Sequence, residues 1–315
     1  MLKRNNFMKI IPHAGLIGGV GFVLAACNIA TVTPNSKYFA SQPISGPNVP
    51  PAALPQINPG DKFYYANGWR EQVVSTEGET VNLINKSKRK LVNFRNFVIP
   101  APYLEGSKAE YFKETRVPTN VLWPLKIGNK TRFTTEGLSK SKTSPRESKY
   151  SQKWSCEVEG TERVRVLAGE FDTFRIKCDR RSSTNKWWQS YTWFYAPKLN
   201  TYVMRRSFHK KNGESVRELT ALRPSLSEEP KHIRIGIVRT WQDALENAKS
   251  GDIRSWTDRK TGTSVQIEPL KTYQAKNGLF CRTYKQYLTR DNAPRLYAGV
   301  ACRTGKLKWR TPTSG

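Results

Sequence analysis

The stretch WSCEVEGTERVRVLAGEFDTFRIKC, residues 154–178, decides the fold class. Val158, Glu162, Val164 and Val166 precede the small pair Ala168-Gly169, and Phe171, Phe174 and Ile176 follow it. Alternation on both sides of a turn signal predicts an antiparallel hairpin. Cys156 and Cys178 lie 11 residues either side of Leu167. In a hairpin folded there they stand opposite each other, at the separation a disulfide needs.

Outward from this hairpin, residues 61–230 carry the same kind of pattern. Phe63-Tyr64-Tyr65, Val73-Val74 and Thr80–Ile84 are short strand-like runs separated by Asn67-Gly68 and Glu77-Gly78. WWQSYTWFYAPKLNTYVMRRSF predicts two strands joined at residues 196–200. After LRPSLSEEPK, a Pro/Ser-rich joint, a second domain is expected over residues 231–315. Thr240 with Asp243 three residues on predicts an N-cap opening WQDALENAKSG, with Trp241, Leu245 and Ala248 on one face and Gly251 as the stop. A meander of strands follows, from RSWT to KLKWR.

Cys281 and Cys302 repeat the first geometry, with their midpoint between Asp291 and Asn292. Four cysteines permit three full pairings, two of which would cross between domains. The expected pairs are therefore 156–178 and 281–302; the alternative is four reduced, buried thiols.

The N-terminus carries Lys3, Arg4 and Lys9 with no acid, then an apolar run with Pro12 and four glycines. That is the order of a secretion signal, and the run is poorly suited to a permanent span. Leu24-Ala25-Ala26-Cys27 resembles the bacterial lipobox. The resemblance implies cleavage after Ala26 and a diacylglycerol thioether on Cys27, with further acylation (palmitate among the acyl chains); Asn28 in place of Asp implies the outer membrane. The alternative is an ordinary signal with an incidental cysteine. Residues 1–26 are thus expected as a lipoprotein signal peptide. Residues 27–60, with seven prolines and a single charge at Lys37, are expected as a tether. For its second half, a loop packed on the following domain is the alternative.

The expected fold class is mostly β: two antiparallel-sheet domains, the second with one short α-helix, after a cleaved signal and a Pro-rich tether. Residues 154–222 resemble uncharacterised bacterial envelope proteins built as curved antiparallel sheets, with AGEFDTFRIKC and TWFYAPKLNTYVMR carrying the likeness. Residues 238–310 resemble the surface-antigen family typified by the 17-kilodalton common antigen. The carrying residues are ALENAKSGD, Trp256–Gly262, Cys281–Tyr284 and Ala301–Arg303. Members are outer-membrane lipoproteins with no settled activity. This chain lacks their Gly-rich segment and inserts a large β-domain instead.

No sequence signal for a catalytic constellation, a metal or a cofactor appears. The chain has three histidines, and His209 and His232 are expected at a strand end and in the joint. Glu157 and Glu159 are expected on the solvent side of a strand. The formal charge of +28 is spread out: 32 Lys and Arg against 19 Asp and Glu in residues 61–230, and 17 against 6 in residues 231–315. Such an excess attracts polyanions over a range set by salt. Lys86–Lys90 is expected as a solvated turn. In KWWQSYTWFY, residues 186–195, rings alternating along a strand are expected as core on one face. The expected function is a non-enzymatic, basic envelope protein held to the membrane by lipid on Cys27. Its expected partner is an anionic envelope polymer, peptidoglycan or lipopolysaccharide. The alternatives are an enzyme acting on envelope glycan and a nucleic-acid-binding surface protein.

Overall fold

The computed structural model describes residues 46–312. Cys27 and the expected signal peptide lie outside them. Twelve strands follow one another: β1 (Lys62–Tyr65), β2 (Arg70–Glu77), β3 (Thr80–Asn85), β4 (Lys90–Phe94), β5 (Tyr103–Glu105), β6 (Ala109–Thr115), β7 (Lys130–Ser141), β8 (Glu147–Val166), β9 (Gly169–Ser182), β10 (Trp187–Ala196), β11 (Thr201–His209) and β12 (Gly213–Arg223). Each pairs antiparallel with the next. β12 returns to β1 through Lys62↔Arg223 and Phe63↔Leu222. The ladder closes on itself as a barrel, which removes the free edges an open sheet would present.

The hairpin of residues 154–178 forms as β8 and β9, and Cys156 is bonded to Cys178. The turn is Leu167-Ala168, half a residue past the expected centre, since Val166 pairs with Gly169. A one-residue bulge between Val158 and Gly160 restores the register, so that Cys156 faces Cys178. The outward face of this hairpin carries Arg163–Asp172, Arg165–Glu170 and Arg175–Glu159 ion pairs. A lipid-facing barrel would carry an apolar band there.

The C-terminal segment forms α1 (Lys231–Asn247), then β13 (Arg254–Thr257), β14 (Ser264–Gln274), β15 (Phe280–Arg290), β16 (Ala293–Gly305) and β17 (Lys308–Arg310) as an antiparallel meander. Asp291 and Asn292, both at positive φ, close the β15–β16 hairpin as a two-residue turn, and Cys281 is bonded to Cys302.

The helix is longer than expected. It starts directly after Pro230, ten residues before Trp241. Thr240 is not a cap: its hydroxyl donates to the Gly236 carbonyl one turn back. Gly236, inside the helix, is where the Trp256 ring lies; a Cβ there would stand 2.4 Å from the indole. Ile233, Ile237, Trp241, Ala244 and Leu245 form the buried stripe. The C-terminal end is held by Arg282, whose Nη1 donates to the carbonyls of Ala244, Leu245 and Ala248 at 3.4, 2.9 and 2.8 Å.

The first half of β12 pairs with β11; its second half pairs with β1 on one side and with β16 on the other, through Ala221↔Gly299 and Leu222↔Ala298. One hydrophobic core joins Phe63, Leu219 and Leu222 to Ile237, Trp241, Tyr284 and Trp309. The division at residue 230 therefore marks a change of element order, and the packing runs across it. Buried Asp61 pairs with Arg295 at 2.5 Å and accepts from the Tyr297 hydroxyl at 3.2 Å, across the same boundary. Residues 46–60, the second half of the expected tether, lie on the barrel. Ala52 bridges to Leu125, Thr161 donates to the Pro47 carbonyl and Arg95 to that of Pro55. Prolines cannot donate, but their carbonyls accept here.

Candidate functional site in the barrel interior

The residues singled out in the sequence are mostly accounted for by structure. His209 Nδ1 accepts from the backbone N–H groups of Lys211 and Asn212 and so shapes the β11–β12 turn. His232 stands in the first turn of α1, 3.4 Å from Asp258. Glu157 pairs with Lys130 at 3.2 Å, and Glu159 with Arg175 at 2.9 Å and Lys177 at 3.8 Å. Lys86–Lys90 spans the β3–β4 turn, where Asn85 Oδ1 accepts from Ser87 and Arg89 N–H. Among the described residues no group of three or more His, Cys, Asp or Glu is arranged to hold a metal ion.

The rings of β10 divide between two cores. Phe194 joins the larger one, whereas Trp193 and Tyr195 join the disulfide Cys156–Cys178, Trp123, Phe133 and Trp154. Phe97, on the loop after β4, packs on Trp123, Trp193, Tyr195 and Tyr202 at centroid distances of 5.4–6.1 Å. Above this floor a cavity of ≈ 340 Å³ remains open, within the size range of small-ligand sites.

Its walls combine stacked rings and cations. Trp154–Tyr191 and Tyr191–Trp193 stack at 5.7 and 5.2 Å, and Phe133, outside the lining, backs Trp154 at 6.0 Å. Lys113, Arg180, Arg205 and Arg217 line the same space, and Glu71 is the only carboxylate among the described residues that does. Glu71 is already engaged: it accepts from Trp69 Nε1 at 2.6 Å and from Arg217 Nη1 at 3.2 Å. Arg180 lies 5.9 Å over the Trp154 ring and Arg205 5.7 Å over Tyr191. Among the described residues, Lys113, Arg180 and Arg205 form no ion pair.

The electrostatics follow. Burial, and then the neighbouring Arg180 charge, hold the Lys113 pKa below the ordinary lysine value. Burial likewise lowers that of Arg180. Cation–π contacts return about 0.5–2 kcal/mol each, less than the several kcal/mol that full desolvation of a charge costs. Four nitrogens of the lining residues, Trp154 Nε1, Arg180 Nε, Arg205 Nε and Arg217 Nε, are themselves buried behind the cavity wall with no partner in the protein. All four are donors.

Tyr150, on β8, leans over Gly137 of β7, the residue paired with Lys113. A Cβ at 137 would stand 2.2 Å from that ring, so only glycine leaves room for it. Sequence reasoning missed this cation set, although a signal existed. Trp154 and Arg180 each lie two residues from a disulfide cysteine, and a period of two puts them on the same inward face, directly opposite each other.

Residues 243–310 match the family model described as 17 kDa outer membrane surface antigen. The 17 kDa surface antigen of Rickettsia australis is 38% identical over 64 residues, 20% of this chain and 42% of that protein. That of Rickettsia conorii is 34% identical over 71 residues, 22% of this chain and 45% of its own. The chain thus spans less than half the length of these curated relatives. The likeness covers the end of α1 and β13–β17 and leaves out the barrel. Among solved structures, the hypothetical lipoprotein YmcC of Escherichia coli K12 aligns with a TM-score of 0.39 and 14% identity, over 53% of this chain and 86% of that one.

Proposed function

We propose that this chain is a lipid-anchored, non-enzymatic protein of the outer envelope that contacts anionic envelope polymer through its basic residues. The observation that carries this is the cation excess in both segments, which continues inside the barrel as Lys113, Arg180 and Arg205 without carboxylate partners. The likeness of residues 243–310 to outer membrane surface antigens supports the location, and the lipobox resemblance at Cys27 supports the anchor. A binding role is favoured over glycan hydrolysis. Glycosidases work with two carboxylates about 5–10 Å apart, and the one carboxylate in the cavity is bound by Arg217 and Trp69.

Retention on purified sacculi and on lipopolysaccharide tests the contact. The protein is expected to be held at low ionic strength and released near 1 M salt, where the Debye length falls to about 3 Å. Passage without retention at low salt refutes it. The mass of the native protein tests the anchor: a Cys27 without acyl chains removes that part of the reading.

A further inference from the structure

We infer that the barrel cavity is a binding site for one acidic sugar unit, its anionic group held by Lys113 and Arg180 and its ring face set on Trp154 and Tyr191. This rests on the proposed contact with anionic envelope polymer and gives that contact a location and a ligand class.

The chemistry of the lining selects the ligand. The lining cations Lys113, Arg180 and Arg205 carry only N–H donors and no ion pair among the described residues, so the partner that fits them is made of acceptors: an anion, and hydroxyl or ring oxygens. Unpaired cations on β6, β9 and β11 converge on one space, so the acceptor set carries negative charge. Trp154, Tyr191 and Trp193 line the same space and supply an aromatic wall against which the C–H groups of a pyranose pack. Leu91, Val98, Ile99 and Leu104 add an apolar side to the lining, but a lipid tail would leave the unpaired cations without a partner. A cavity of ≈ 340 Å³ takes a sugar unit but not a folded peptide. Keeping unpaired cations half-buried weakens the fold, and departures of this kind concentrate at functional sites.

The test titrates the full chain with five probes, following Trp fluorescence and heat: a glucuronate oligosaccharide, its carboxyl-reduced neutral counterpart, a hexose phosphate, inorganic phosphate and a single-stranded oligonucleotide. Expected is binding of the glucuronate oligosaccharide, the hexose phosphate or both, at least about tenfold tighter than the neutral sugar and than inorganic phosphate. The two acidic arms tell a carboxylate sugar from a phosphorylated one. Arg180→Gln and, separately, Lys113→Met are expected to weaken the acidic probes about tenfold or more and to leave the neutral sugar unchanged. Tyr191→Leu is expected to weaken acidic and neutral sugars alike. Near-UV circular dichroism confirms that each variant is folded, and Lys113→Met serves where Arg180→Gln does not fold.

Equal affinity for the neutral sugar, or acidic binding untouched in both folded cation variants, overturns the inference. Tighter binding of a single-stranded oligonucleotide than of either acidic sugar overturns it too, in favour of nucleic acid. If the protein is held on sacculi or lipopolysaccharide but the acidic probes neither displace it nor respond to Arg180→Gln, the cavity site falls and the polymer contact stands on the outer surface. If wild type is not held at all, the polymer contact itself falls.

Discussion

Lys113→Met is expected to make the protein more stable at neutral pH. The lysine stem and methionine have similar length, so packing against the β6–β7 wall is kept while the charge is removed. In the folded protein burial and Arg180 hold the Lys113 pKa below 10.5, and among the described residues no carboxylate pairs with it. A lysine whose folded pKa is depressed is a burden when charged. Below the folded value both folded and unfolded states carry the proton and the full cost applies. Between the folded value and 10.5 the unfolded state binds more protons, so wild-type stability rises with pH; above 10.5 the cost is gone. The variant should therefore gain about 0.5–2 kcal/mol at pH 7, the usual size of a relieved surface-to-core conflict. For a domain of this size that is a rise of about 1–8 °C in Tm. The gain should shrink steadily as the pH is raised to 10.5. Urea and thermal denaturation of both proteins from pH 6 to 11 measure it. A loss of more than about 1 kcal/mol at pH 7 would refute the reasoning, because it would mean that Lys113 has a stabilising partner and the cavity is not short of negative charge.

Each disulfide closes a loop of just over 20 residues, separations of 22 and 21, so Cys156→Ala/Cys178→Ala and Cys281→Ala/Cys302→Ala should each lose about 3 kcal/mol in urea denaturation under oxidising conditions. Arg282→Met leaves the buried carbonyls of Leu245 and Ala248 without their donor and should cost about 2–4 kcal/mol, with amide exchange fastest in the last turn of α1. Burial raises the pKa of Asp61, with Arg295 opposing, so the folded state binds the extra proton and stability falls as pH rises from 3.8 through the raised value; Asp61→Asn should flatten that part of the acid stability curve. Cys27→Ser should move the protein from the membrane fraction to the soluble one; unchanged sedimentation with membranes would remove the proposed anchor.

Much of this architecture is written in short-range pattern. Alternation around Leu167 and around Asp291-Asn292 was enough to pair the cysteines, because in a hairpin register follows from the turn and a period of two. The buried helical stripe was legible only in its second half. Gly236 and the midhelix Thr240 hid the first half, since the Trp256 ring that makes a glycine useful there comes from a strand 20 residues on. The closure of twelve strands was not legible, because the β1–β12 pairing joins residues more than 150 apart and no local pattern records it. The same holds for the cavity. Lys113, Arg180 and Arg205 look like three of many basic residues in a chain of charge +28. Whether a lysine on a strand is solvated or turned inward beside an arginine depends on which face of the sheet the barrel encloses. Composition set the sign of the charge, and the closed sheet alone decided which cations would be left without a partner.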